Sequence, residues 1–178
     1  MIQLISLYGK SAQSFYLEQG CISDFKALIR TVTSGRVMII STRFRSDLFY
    51  KAEESKRDEL LSLWALYANS TMDSLDPNDC KHFSGDEPAL SHFFQSMQAL
   101  SINRHEYNQY KKAFYAAYSY DQQNPMAVTI VQCDQYLVGQ PSIKREPLCE
   151  SCEKIKDQLT GDTLALAMRI LNNDSHSN

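Results

Sequence analysis

The sequence has no uninterrupted apolar run near the roughly 20 residues that span a bilayer, so no transmembrane helix is expected. A signal-peptide pattern is also missing, because Ile2-Gln3-Leu4-Ile5-Ser6 is too short and too poorly flanked by basic residues. Positive charge is not in excess. Eighteen basic against 21 acidic side chains give a formal net charge of −3, which offers no global field to phosphate backbones. Duplex nucleic acid and membranes are therefore not expected partners. The basic pairs Arg43/Arg45, Lys56/Arg57, Lys111/Lys112 and Lys144/Arg145 are isolated by neutral or acidic neighbours and read as solvated surface. No Gly-rich phosphate loop, H-E-x-x-H, G-x-S-x-G or nucleotide fingerprint occurs. Cysteine is scarce and odd in number, five in 178 residues, which argues for thiols in a reducing, cytoplasmic setting.

What is present is an ordinary globular composition. With 43% hydrophobic residues the chain is long enough to bury a core without staples. The segment Ile2 to Tyr8, closed by Gly9, reads as a strand, and Ser23 or Asp24 caps a helix that stops at Ser34-Gly35. Val37 to Ser41 is a short β-branched run expected as a strand covered on both faces. Ser46 or Asp47 then opens a helix running to about Asn69. Residues 70–87 form a loop longer than compact domains usually carry without an anchor. Pro88 begins a helical hairpin whose second helix runs from about Asn103 to Tyr120. Met126 to Cys133 reads as a third strand, with Val128 to Val131 expected beside Val37 to Ser41 at the sheet centre. Two short helices follow, Cys149 to Leu159 and Thr163 to Leu171. The expected architecture is one α/β or α+β domain over 1–171, helix-dominated, with a three- to four-stranded sheet, about six helices and a disordered tail at 172–178.

The chemistry-bearing motif is Glu146-Pro147-Leu148-Cys149-Glu150-Ser151-Cys152-Glu153. Its C-x-x-C spacing lets two thiolates close on one metal, and Cys80-Lys81-His82 offers a second pair. A structural zinc on Cys80, His82, Cys149 and Cys152 would anchor the 70–87 loop. As a redox dithiol the same pair is disfavoured, since Glu146, Glu150 and Glu153 raise thiol pKa.

Thr129-Ile130-Val131 followed by Pro147-Leu148-Cys149-Glu150-Ser151-Cys152 resembles the strand-to-helix half of the zinc-dependent nucleobase deaminases. That resemblance implies a hydrolase in which Cys149 and Cys152 hold catalytic zinc. The family's upstream H-x-E supplies a third ligand and a general acid/base. Here the nearest equivalents are the adjacent pair His105-Glu106 and Lys51-Ala52-Glu53. A separate hydrolase reading uses Cys21 at a helix N-terminus as nucleophile, with His82, His92 or His105 as base and Asp79 or Asp86 orienting it. Arg43-Phe44-Arg45-Ser46-Asp47 adds a candidate anion site where strand passes into helix.

The 104–120 helix carries more aromatic surface than one buried stripe requires. Tyr107, Tyr110, Phe114 and Tyr118 share a face able to enter the core, which leaves Tyr115 and Tyr120 outward. The tyrosines Tyr107, Tyr115, Tyr118 and Tyr120 are the candidate interaction set for a protein partner. The last helix is apolar nearly all round, so it either inserts among helices of its own domain or covers a second subunit in a homo-oligomer. The leading expectation is an intracellular protein-interaction module stabilised by zinc.

Overall fold

The computed structural model describes residues 1–33, 35–150 and 159–175. The fold is α+β and helix-dominated, with seven α-helices and one four-stranded antiparallel sheet among those residues. Contacts cluster into two compact units, Met1–Gly85 and Asp86–Asn178.

The first unit holds the sheet. Its order of elements is β1 (Ile2–Tyr8), α1 (Gly9–Ser14), α2 (Gln19–Val32), β2 (Met38–Ser41), β3 (Arg45–Lys51), α3 (Arg57–Tyr67) and β4 (Cys80–Ser84). Strand order is β2-β3-β1-β4. Ile2 to Leu7 are all buried, so β1 is covered on both faces. Gly9 turns the chain from β1 into α1 at φ +51, and a Cβ there would meet the Asp79 carboxylate at 3.3 Å. One sheet face carries Ile5, Leu7, Ile39 and Leu48 into a core with Phe15, Phe25, Ile29 and Trp64. Trp64 is the centre of that core. Its Nε1 donates to the Phe15 carbonyl at 2.8 Å, and its ring meets Phe15 edge-on and Phe25 at a tilt.

Three expected elements differ in this unit. The helix expected from Ser46 or Asp47 to Asn69 is a strand followed by a shorter helix, Arg45–Lys51 and then Arg57–Tyr67. The physical reason is local: Thr42 Oγ1 donates to the Arg45 carbonyl at 2.6 Å and accepts from the Arg45 N–H at 3.1 Å, closing a hairpin turn in place of a helix cap. Leu48 and Tyr50 can then face one side while Asp47 and Phe49 face the other. Met38–Ser41 is a strand as expected but sits at the sheet edge, paired only with β3. Residues 70–87 are not a free loop. They contain β4, paired with β1, and two 3-10 turns at Met72–Ser74 and Pro77–Asp79, so the segment is anchored by backbone pairing.

The second unit is helical: α4 (Asp86–Leu100), α5 (Arg104–Tyr120), α6 (Pro125–Val138) and α7 (Gly161–Ser175). The hairpin of α4 and α5 stands where the sequence placed it. Met126 to Cys133 is helix, not strand, which also removes the expected pairing of Val128–Val131 with the sheet. Asn124 caps α6, accepting from the Met126 N–H at 3.2 Å, with Pro125 at the first helical position. A helix buried on most sides shows the same continuous apolar run as a buried strand. The last helix begins as expected and runs on to Ser175, where a disordered tail was expected. Arg169 and Asn173 both bind Glu87, at 2.8 and 2.9 Å. Leu166, Ala167 and Ile170 are buried, whereas Met168 is 48% exposed, so the helix is not covered all round. Most of the helix expected from Cys149 to Leu159 lies outside the described residues.

Trp64→Ala is expected to destabilise the first unit by about 3–5 kcal/mol, through lost burial and an orphaned Phe15 carbonyl. The measurement is a urea midpoint followed by far-UV circular dichroism; a change below about 1 kcal/mol would contradict the central place of Trp64.

Candidate functional site

Cys80 and His82 are two residues apart on β4, and strand periodicity puts them on one face. Register places His82 opposite Ile5, while Gln3 lies opposite Tyr50 and Ser84. The outcome is a polar cluster at one end of the sheet. His82 Nε2 is 3.1 Å from Gln3 Oε1 and 3.4 Å from Tyr50 Oη. Cys80 Sγ is 3.6 Å from Arg57 Nη2, and Arg57 Nη1 pairs with Asp58 at 2.7 Å.

The electrostatics of this cluster favour neutral groups. Burial pushes the Cys80 thiol up, against the pull of Arg57. His82 is pulled down by burial and then by Arg57. Tyr50 is pushed up by burial, opposed by the Lys56 amide, the Ser55 hydroxyl and Arg57. Chemically the cluster is a hydrogen-bonded polar plug holding thiol, imidazole and phenol uncharged.

Zinc fits this donor set poorly. A guanidinium stands beside the Cys80 sulfur where a cation would have to bind, and Cys149 is disulfide-bonded. Cys152 lies outside the described residues. Among the described residues no three His, Cys, Asp or Glu side chains gather to hold a metal ion.

The other sequence candidates are occupied by local contacts of their own or stand without the bonds their chemistry needs among the described residues. Cys21 is free and exposed in the first turn of α2, which starts at Gln19, ahead of the expected Ser23 or Asp24 cap. Among the described residues no hydrogen bond links Cys21 to a histidine, and Asp79 binds the Ser11 N–H at 3.4 Å. Thr129 to Val131 lie in α6, so the strand that opens the deaminase-like half is absent. His105 binds Gln109, and the Glu106 N–H is taken by the Asn103 cap. The Arg43/Arg45 anion site is also overturned. Arg45 is buried and bidentate to Asp47, at 2.7 and 3.1 Å, with Ser6 Oγ donating to the same carboxylate. Arg43 lies over the Tyr16 ring at 5.1 Å.

In the second unit α5 divides its aromatics. Tyr107, Tyr110, Phe114 and Tyr118 are buried, and Phe93 packs on Tyr110 and Phe114. Tyr107 and Tyr118 therefore belong to the core. Tyr115 and Tyr120 are 45% and 74% exposed. Behind α5 lies a buried ion pair that the sequence reading missed, Asp134 Oδ1 to Arg145 Nη1 at 2.6 Å. The Leu148 N–H donates to Asp134 at 2.7 Å, and Arg145 also reaches Tyr107 Oη at 3.3 Å and stacks over Phe94. Burial pushes Asp134 up while Arg145 and the Leu148 amide oppose it. Arg145 is held cationic by Asp134, against its own burial. A lone aspartate in the apolar run 126–138 was the available signal, because an acid is rarely buried without a partner. On the surface above, Lys111 holds Glu146 at 2.9 Å and Glu150 at 2.7 Å. Cys133 is buried, its thiol pushed up to about 12 by burial and Asp134. A cleft of about 350 Å³ borders Asp86, Thr129, Asp162 and Arg169.

The chain matches no protein-family model, no curated protein and no solved structure.

Asp134→Ala is expected to cost about 3–5 kcal/mol by leaving Arg145 buried and unpaired, with the Asp134→Leu/Arg145→Leu double variant recovering most of the loss in chemical denaturation. Equal losses in both variants would show that the pair acts through shape alone. For His82 the sign is fixed by a folded-state pKa below the ordinary 6.5. The unfolded chain then binds the proton more readily, so stability is lost as pH falls from about 6.5 towards the folded value. His82→Gln should flatten that part of the urea-midpoint profile; an unchanged slope would remove His82 as its source.

Proposed function

We propose that the protein is a protein-interaction module whose second unit presents the outward face of α5. One observation carries this reading: Tyr115 is 45% exposed on a helix whose inward stripe is already filled by Tyr107, Tyr110, Phe114 and Tyr118. A half-exposed tyrosine adds nothing to that core, and tyrosine at an interface buries large area at low entropic cost. Tyr120 stands at the end of the same helix, about 140° round from Tyr115 at 100° per residue, so the two lie on different sides of the helix. No helix of the described residues is long and apolar enough to cross a membrane.

A photo-crosslinking phenylalanine analogue at position 115, expressed in cells, is expected to yield one discrete protein adduct that the same analogue at the exposed Lys81 does not. Tyr115→Ala should leave stability within about 0.5 kcal/mol, as surface substitutions do. No adduct above the position-81 control would overturn the reading.

A further inference from the structure

A second surface in the first unit carries apolar side chains that its own core does not use. The inward residues of α3 are Leu60, Leu61, Trp64 and Ala65, all buried. Leu63 packs against that core, whereas Leu66 and Tyr67 near the end of the same helix are exposed. Leu66 is 71% exposed and Tyr67 36% exposed, and the 3-10 turn that packs on α3 adds Met72 at 41%. The Phe25 ring braces Tyr67 at 5.2 Å, which holds the phenol in place at low conformational cost. A helix apolar on two sides is expected to be covered on both.

Along the segment that carries Leu66, Tyr67 and Met72 the charges have one sign. From Asp58 to Cys80 the chain carries Asp58, Glu59, Asp73, Asp76 and Asp79 and no lysine, arginine or histidine. Asp58 and Glu59 are neutralised by Arg57 and Lys56 at the far end of α3. Asp73 lies beside Met72 in the 3-10 turn, Asp76 follows it, and both are exposed. Leu66, Tyr67 and Met72 are thus exposed apolar side chains on α3 and the turn packed on it, with the acidic rim supplied by Asp73 and Asp76 of the same segment.

We infer that this end of the first unit binds a basic amphipathic helix of a partner protein, its leucine-type side chains on Leu66, Tyr67 and Met72 and its lysines or arginines towards Asp73 and Asp76. Apolar anchors at i, i+3, i+4 on such a ligand match a helical stripe, and a flexible methionine adapts to their shape. The acidic rim repels nucleic acid and anionic lipid, which leaves a basic protein segment as the fitting ligand. This surface is independent of the α5 face and stands or falls without it.

The test uses fluorescence anisotropy of the full chain with a labelled model helix of leucine and lysine, leucines at i, i+3, i+4 and i+7. The controls are a scrambled peptide of the same composition and a version with glutamate for lysine. Binding is expected for the ordered leucine–lysine peptide, at least tenfold tighter than for either control, and weaker at high salt. Leu66→Ser/Met72→Ser should reduce affinity at least tenfold, and Asp73→Asn/Asp76→Asn several-fold, with circular dichroism melts confirming folded variants. The two asparagine substitutions are at exposed positions, so they remain informative if the serine variant fails to fold. Equal binding of scrambled and ordered peptides, or affinity unchanged in the asparagine variant, overturns the inference. Sedimentation of the chain alone covers the competing occupant: a dimer dissolved by Leu66→Ser would give this patch to a second copy and overturn the partner assignment.

Discussion

Strand β1 is hydrogen-bonded along both edges and buried on both faces, and the first unit is organised by that double constraint. A strand so placed cannot leave a polar side chain to water. Gln3 and Ser6 are nonetheless there, each fully buried. Ser6 is answered by its cross-strand neighbour Asp47, and Asp47 in turn by Arg45 on the same face of β3. On the opposite face Gln3 is answered by His82 from β4. Each pairing needs the register that the backbone ladders set, because a one-residue slip would put Asp47 among Leu48's neighbours. The polar contacts specify alignment more than they add net stability, since desolvation offsets most of what a buried ion pair contributes.

The second unit solves a similar problem with helices. Asp134 lies in a helix whose buried side also holds Gln132 and Gln135 among apolar residues, and Arg145 reaches it from the irregular segment that follows. The guanidinium also meets Tyr107 and Phe94, and Asp134 takes the Leu148 amide. A segment with little regular structure is thus fixed to α4, α5 and α6 through one carboxylate and one guanidinium. Lys111 repeats the arrangement at the surface with Glu146 and Glu150, where water screens it and the contribution is small.

Legibility in the sequence followed how local each signal was. Ile2 to Tyr8 and the α4–α5 hairpin read correctly because alternation, Pro88 and the aromatic spacing are short-range features. Ser46-Asp47 looked like a helix cap, and only the Thr42 contacts across the turn show that the chain doubles back instead. Met126 to Cys133 is β-branched and apolar, and its burial between helices is a tertiary fact; Asn124-Pro125 was the local signal that argued for a helix. Strand β4 was hidden because Cys80–Ser84 is short, half-exposed and polar, as edge strands tend to be. The spacing of Cys80 and His82 did place them on one face. Their company there, Gln3, Tyr50 and Arg57, comes from distant parts of the chain and was not readable.

The same long-range placement separates chemical from surface readings of the molecule. A nucleophilic or metal-binding thiol needs to lose its proton near neutral pH, which calls for exposure and a stabilising positive charge together. Cys80 has the arginine but is buried, Cys133 is buried beside a carboxylate, and Cys149 is already oxidised. Cys21 is exposed, and no histidine bonds to it among the described residues. His82 spends its Nε2 on Gln3 and Tyr50 inside the sheet. Among the described residues α3 and α5 expose apolar and aromatic side chains, Leu66, Tyr67 and Tyr115, and the proposed contacts rest on that surface.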